Sequence, residues 1–316
     1  MRKLEDFLYP TQSELYQLIR SIYGSDAISR KGAYILVKGE APVLLLAHMD
    51  TVHEKRVKHI CKSEDGNILM SPQGIGGDDR CGVYALVSAR EKSEVKPWLL
   101  FTCDEEIGGK GAGKFASDYA AKRLPKALDS LKLLIEIDRR GKNDAVYYDC
   151  ENYELEDYIT SHGFETAYGS FSDISVIAPE MGIAAVNLSS GYYNAHTTHE
   201  YINRKHLEAT VGRVVEIIAE SCDGNFPRFE YMEAERYPDF GMGGSWDLDG
   251  QDWFAPEDLP EEYAASYEAL LYYYSPAELD EIRKHYGDRA IRELYESEFG
   301  PDGPADRESY LAGWEI

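Results

Sequence analysis

Pro42-Val43-Leu44-Leu45-Leu46-Ala47, followed at once by His48-Met49-Asp50-Thr51, decides the reading of this chain. The first six residues are almost wholly apolar, as a strand covered on both faces must be. Chemistry-bearing residues begin where that strand would end. The pattern recurs: Trp98–Cys103 (WLLFTC) runs into Asp104-Glu105-Glu106, and Leu131–Ile137 (LKLLIEI) runs into Asp138. A further apolar run, Ile183–Leu188 (IAAVNL), comes shortly before Asn194-Ala195-His196-Thr197-Thr198-His199-Glu200.

Helical patterns fill the intervals. Ser13 is placed to cap an opening helix with Leu15, Leu18, Ile19 and Ile22 on one face, ended by Gly24. Ala33–Lys38 reads as a strand. Asp79 can cap a helix through Val83, Leu86 and Val87, and Gly111–Lys122 and Asn152–His162 read as two more. Asn203 can cap a long one carrying Leu207, Val211, Val214, Val215 and Ile218. Buried strands alternating with helices predict an α/β fold, a three-layer sandwich around a mostly parallel central sheet.

After Cys222 the texture changes, which divides the chain into a main domain, 1–222, and a C-terminal extension, 223–316. The extension is irregular over 223–255 and then largely helical: Leu259–Tyr274, a helix through Leu279, Ile282 and Tyr286, and Asp288–Phe299. Ser275-Pro276-Ala277-Glu278 supplies a capping box for the second of these. The extension holds 24 acidic and 7 basic side chains out of a formal charge of −24 for the whole chain. It also carries three of the four tryptophans, too aromatic a content for a disordered acidic tail. It is expected to fold back on the main domain, or to bind a partner or a second copy of the chain.

Such acidity argues against nucleic acid or an anionic membrane as partner. No apolar run approaches a membrane span, and Met1-Arg2-Lys3 leads into polar residues, so a cytoplasmic location is expected. Five cysteines without a CxxC pair are expected to be reduced thiols packed as small hydrophobes.

In an open parallel sheet the loops at the carboxyl ends of the strands converge on one edge. His48, Asp78, Glu106, Asp138 and His196 are spaced 30, 28, 32 and 58 residues apart, and the first three intervals each match one strand-helix unit. Two histidines and three carboxylates brought together in this way suit two divalent ions, with zinc favoured by the imidazoles. Asp50 can accept the second N–H of His48 and fix its tautomer. Asp78, in the turn Gly76-Gly77-Asp78-Asp79, is the candidate bridging ligand, with Asp79 capping the helix or constraining the turn. Adjacent carboxylates beside an apolar strand repel unless cations neutralise them. We therefore assign Glu106 to metal and Glu105 to general-base duty, accepting the proton of a metal-acidified water and passing it to the leaving amine. Glu136 is read as structural, on the opposite face, and His196 is preferred to His199. His53, His59, His162, His206 and His285 are read as surface or packing residues.

Together the fragments resemble the co-catalytic zinc exopeptidase superfamily, which includes leucyl aminopeptidase, peptidase T, the glutamyl aminopeptidases and carboxypeptidase G. AHMDT resembles that group's first-ligand motif, GGDDRCG its bridging-aspartate turn, DEEIGGKGA its base-plus-ligand glutamates, and NAHTTHE the closing-histidine motif of peptidase T. The motif order matches over roughly residues 30–205. The resemblance implies that Asp78 bridges, that His48 and Asp138 complete one metal site, and that Glu106 and His196 complete the other. It also implies a strained Asp78–Asp79 peptide, with cis geometry open. The short intervals leave no room for the lid or inserted domain of several relatives, so the layout resembles the lidless leucyl aminopeptidases.

Further residues carry weaker expectations. Arg139 or Arg140 could hold a substrate carboxylate, or simply pair with nearby acids. Tyr192 and Tyr193 could donate to an oxyanion, against the alternative of packing. Ser172-Asp173 is expected to open a short helix, with Asp173 a candidate support for the site. The expected activity is metal-dependent hydrolysis of peptide bonds, as an aminopeptidase or dipeptidase. The alternatives are deacylation of N-acyl amino acids at the same site, or a non-catalytic, metal-stabilised binding protein.

Overall fold

A computed structural model of the chain describes residues 2–53, 55–169, 171–233 and, within 259–299, all but 271–278, 281, 285 and 286. The expected capping box at 275–278, His285, Tyr286 and most of the stretch read as irregular lie outside those residues.

Two compact units emerge, Met1–Glu235 and Arg236–Ile316. The first begins with α1 (Glu5–Leu8), α2 (Gln12–Tyr23), β1 (Ala27–Arg30), β2 (Tyr34–Val37) and β3 (Val43–His48). Next come β4 (Cys61–Lys62), β5 (Ile68–Met70), α3 (Gly77–Lys92), β6 (Trp98–Thr102) and α4 (Lys110–Ala120). They are followed by β7 (Leu133–Arg139), β8 (Asp144–Val146), α5 (Tyr153–Ser161), β9 (Glu165–Thr166) and α6 (Asp173–Met181). The unit's last elements are β10 (Ala185–Ser189), β11 (Tyr192–Tyr193), β12 (Tyr201–Asn203) and α7 (Arg204–Ser221).

An eight-stranded sheet in the order β1-β2-β6-β3-β7-β10-β8-β9 forms the middle layer. Its central four strands run parallel, and antiparallel pairs flank them at β2·β6 and β10·β8. Alternation along the strands divides the core. Ile35, Leu45, Phe101 and Ile135 face α2, α3 and α7, whereas Leu36, Leu46, Leu100 and Leu134 face α4 and α6. This is the expected three-layer arrangement, and it explains why β3 carries apolar residues at every position. A small antiparallel sheet, β11-β12-β5-β4, had no counterpart in the sequence reading.

Local signals mostly act where the sequence placed them. Asn152 accepts from Leu155 N, and Asn203 accepts from Lys205 N and His206 N at the starts of their helices. The opening helix differs: Thr11, not Ser13, is its cap, in a reciprocal box with Glu14, so the helix begins earlier than expected. Glu136 also differs. It lies two residues before Asp138 in β7, so period two puts both on one face, and its own carboxylate accepts from Ser172 and from Ile174 N at the start of α6.

The first unit extends past residue 222, where the sequence texture put the boundary, because Phe226 and Phe229 are buried in its core. Three cysteines are buried and two exposed, all with free thiols. The second unit contains α8 (Glu261–Leu270) and α9 (Arg289–Phe299), with Leu259, Tyr267, Leu270, Leu279, Ile291 and Tyr295 as its own core. No described helix is long and apolar enough to cross a membrane.

Leu45 sits fully buried in the centre of β3. Leu45→Ala should lower the unfolding free energy of the first unit by about 2–5 kcal/mol in urea titrations, the usual loss for a deleted core Leu. A loss below about 1 kcal/mol would contradict the central placement of this strand.

Candidate metal centre

Register along the parallel strands assembles the site. His48 ends β3 opposite Thr102 of β6, and Leu46 pairs with Glu136 of β7, which brings Asp138 up beside His48. The chain leaving β6 supplies Glu105 and Glu106. Asp78 arrives on the turn that opens α3, and His196 on the loop between β11 and β12. All five positions predicted as ligands therefore meet at the carboxyl edge of the sheet.

Asp78 occupies the middle. Its Oδ1 lies 3.2 Å from His48 Nε2, and its Oδ2 lies 3.2 Å from His196 Nε2. His48 Nε2 is also 3.5 Å from Asp138 Oδ1, and His196 Nε2 is 3.2 Å from Glu106 Oε2. Two groups of potential ligands result, His48–Asp78–Asp138 and Asp78–Glu106–His196, with Asp78 common to both. A third grouping, His48–Glu105–Glu106, puts Glu105 on the rim of the cluster, 3.9 Å from His48 Nε2. His199 is exposed and belongs to none of these groups.

Asp50 holds more of the site than its predicted partner. It lies 3.3 Å from His48 Nδ1, and its two oxygens also accept the N–H groups of Glu105 and Glu106 at 3.1 Å each. One carboxylate thus fixes the imidazole of β3 and the backbone of the neighbouring turn. Asp79 is buried behind the cluster, accepting from Gly82 N at 2.8 Å as the helix cap expected of it, and from His48 N at 3.3 Å. The peptide joining Asp78 to Asp79 is cis. Asp173 opens α6, buried, and receives the hydroxyl of Thr102.

Electrostatically the cluster is short of positive charge. Burial pushes Asp138 well above the usual carboxylate range, and the charges of Asp79 and Asp78 add to it. Glu105 is pushed up to about 9, first by burial and then by Asp173, Glu106 and Asp78. Asp78 goes the other way: burial would raise it, but the hydrogen bonds to His196 and His48 prevail and hold it far below the usual range. Both histidines are raised well above the usual imidazole value, because carboxylate neighbours outweigh the opposing effect of burial. Buried acids in such excess are costly unless cations join them. Glu106 Oε1 and Asp138 Oδ1 are in addition buried without a hydrogen-bond partner. Nitrogen and oxygen donors, two of them orphaned, converging on a shared carboxylate are what a pair of divalent ions requires.

The residues given weaker roles are engaged elsewhere. Tyr192 donates its hydroxyl to the Asp138 carbonyl at 2.9 Å, and Tyr193 turns to His206 at 2.7 Å while stacking on Tyr201. Both hydroxyls are taken up by these hydrogen bonds. Arg139 donates to the Tyr168 carbonyl at 2.9 Å and lies 3.9 Å from Asp144, the pairing anticipated as the alternative to substrate binding. Arg140 accepts the Ser189 hydroxyl through its carbonyl.

Sequence reasoning missed two partners. Glu200 is fully buried and accepts from the backbone of the Gly76–Asp78 turn, and His53, read as a surface or packing residue, lies 2.9 Å from it. Glu200 closes the NAHTTHE motif, just before β12, but the motif reading gives it no role there. Asn187 is a third supporting group, accepting the N–H of Asp138 at 2.9 Å.

No protein-family model matches the chain, and no curated protein matches it. Solved structures do. Aminopeptidase PepT from Bacillus cereus ATCC 10987 is 15% identical, covering 70% of this chain and 98% of its own, with a TM-score of 0.53. A tripeptidase from Staphylococcus aureus subsp. aureus Mu50 is 15% identical over 69% of this chain and 96% of its own, with a TM-score of 0.52. The TET aminopeptidase of Thaumarchaeota archaeon SCGC AB-539-E09 is 13% identical over 68% and 96%, with a TM-score of 0.50. The chain shares the fold of these aminopeptidases, which is the fold implied by the motif resemblance.

Adding zinc to metal-free protein should raise its unfolding midpoint, by the equivalent of about 2.7 kcal/mol at a hundredfold excess over Kd. Differential scanning calorimetry should show that gain undiminished in His199→Ala and largely lost in Asp78→Asn. Equal gains in all three proteins would place the metal elsewhere.

Proposed function

We propose that this protein is a metal-dependent hydrolase of peptide bonds, an aminopeptidase or dipeptidase, working with two divalent ions, zinc by preference. The observation that carries the reading is the placement of Asp78, with one carboxylate oxygen 3.2 Å from each of two histidines. The fold shared with aminopeptidases supports it.

In this reading His48 and Asp138 hold one ion, Glu106 and His196 hold the other, and Asp78 is common to both. Divalent ions so held polarise a carbonyl oxygen and lower the pKa of water. The remaining work falls to the chain. Asp50 fixes the His48 ring with Nδ1 turned inward, leaving Nε2 free for a ligand's role. Its grip on the amides of Glu105 and Glu106 sets where those two side chains leave the backbone. Glu105, absent from both groups that share Asp78, is free to take a proton from the attacking water and deliver it to the leaving amine. Without cations, burial and the neighbouring acids push it up to about 9, too high for a base at neutral pH. Cations nearby draw it down toward the working range.

Glu105→Gln should leave zinc content and unfolding midpoint unchanged while lowering kcat at least about 10²-fold on aminoacyl and dipeptide substrates. Turnover near that of the wild type would remove Glu105 from the mechanism. Chelation should abolish hydrolysis, and zinc or cobalt should restore it; activity that survives exhaustive chelation would refute the metal-dependent reading itself. Including N-acetyl amino acids in the same substrate panel separates peptidase from deacylase.

A further inference from the structure

Glu200 lies four residues beyond His196, and its carboxylate is withdrawn from solvent entirely, 0% exposed. Oε1 accepts the N–H of Asp78 at 2.9 Å. Oε2 accepts the N–H of Gly76 at 2.8 Å and lies 2.9 Å from His53 Nε2. A buried carboxylate needs donors, so their number is unsurprising. Their origin is informative. Both backbone donors flank Gly77, in the turn whose outgoing side chain is Asp78, so one side chain ties the segment of His196 to the segment of Asp78.

The turn fits closely against this carboxylate. Gly76 holds a φ of +64°, a conformation most side chains disfavour. A Cβ on Gly77 would stand 3.0 Å from Glu200 Oε1 and 2.7 Å from the Tyr192 Cβ. Gly76 answers to its left-handed backbone and to Thr51, 3.3 Å from its would-be Cβ, whereas Gly77 leaves room for Glu200 together with Tyr192 and Ile202. A plain helix cap, which Asp79 already provides, would need neither.

We propose that Glu200 is the positioning residue of the two-ion centre: it fixes the Gly76–Asp78 turn so that one oxygen of Asp78 faces each histidine, with His53 holding Glu200 in place. The proposal rests on the two-ion reading above and deepens it. Bridging is demanding, because both oxygens must be presented at once, and a small rotation of the turn withdraws one of them. Supporting groups of this kind typically change metal affinity about 10–100-fold when removed.

Metal-free wild type, Glu200→Gln, Gly77→Ala and His53→Gln can be titrated with cobalt(II) while the visible absorption of the bound ion reports the geometry of its ligands. Wild type should take two equivalents. Glu200→Gln keeps the size of the side chain but offers one acceptor oxygen in place of two. One equivalent should weaken about 10–100-fold, and the absorption bands should shift. Gly77→Ala should produce the same change with Glu200 intact, which decides the matter should Glu200→Gln fail to fold. His53→Gln disturbs the donor that holds Glu200, so the same equivalent should weaken by less than in Glu200→Gln; a titration identical to wild type would remove His53 from the proposal. Two equivalents bound by wild type, with Glu200→Gln matching its affinity and spectrum, would overturn the proposal. So would a Glu200→Gln protein whose only defect is a lower unfolding midpoint. A wild type that fails to take two equivalents would fell the two-ion reading, and this inference with it.

Discussion

The position of Asp78 between His48 and His196 is the constraint on which the rest depends. A carboxylate can serve two cations only if its oxygens are presented in two directions at once, and a side chain on a free loop would not hold that pose. Here the backbone on either side is anchored. Glu200 grips the amides before it, Asp79 caps the helix after it, and Gly77 leaves the room that the approach to Glu200 needs. The presentation of one oxygen to each histidine is thus a property of backbone packing more than of the aspartate itself.

The same device recurs at Asp50, a carboxylate that accepts two backbone amides and steadies an imidazole. Neither Asp50 nor Glu200 needs to touch an ion to matter. Each converts a loop at the sheet edge into a rigid mount, and the parallel strands beneath supply the common origin for those mounts. Crowding so many acids into one pocket is unfavourable without cations, so the apolar strands and the anchored turns hold a cluster that the charges alone would disperse. On the two-ion reading, stability and affinity for metal are consequently linked in this chain.

Much of this was legible in the residues. Near-continuous apolar runs revealed buried parallel strands, and the intervals between His48, Asp78, Glu106 and Asp138 matched the strand-helix repeat, so the sheet edge could be located before any coordinates. The choice of His196 over His199 and of Asp79 as a cap also followed from local patterns. What escaped was non-local. Glu200 meets the Asp78 turn across 122 residues of sequence, and His53 meets Glu200 across 147. The small sheet that carries the His196 loop was invisible because its strands are only two or three residues long. Glu136 shares a strand face with Asp138 because side chains alternate with period two.

Anomalous diffraction at the zinc edge from zinc-loaded crystals tests the central claim most directly. Two peaks per chain should flank Asp78, each about 2.0–2.2 Å from one of its carboxylate oxygens. A single peak, or peaks remote from Asp78, would contradict it.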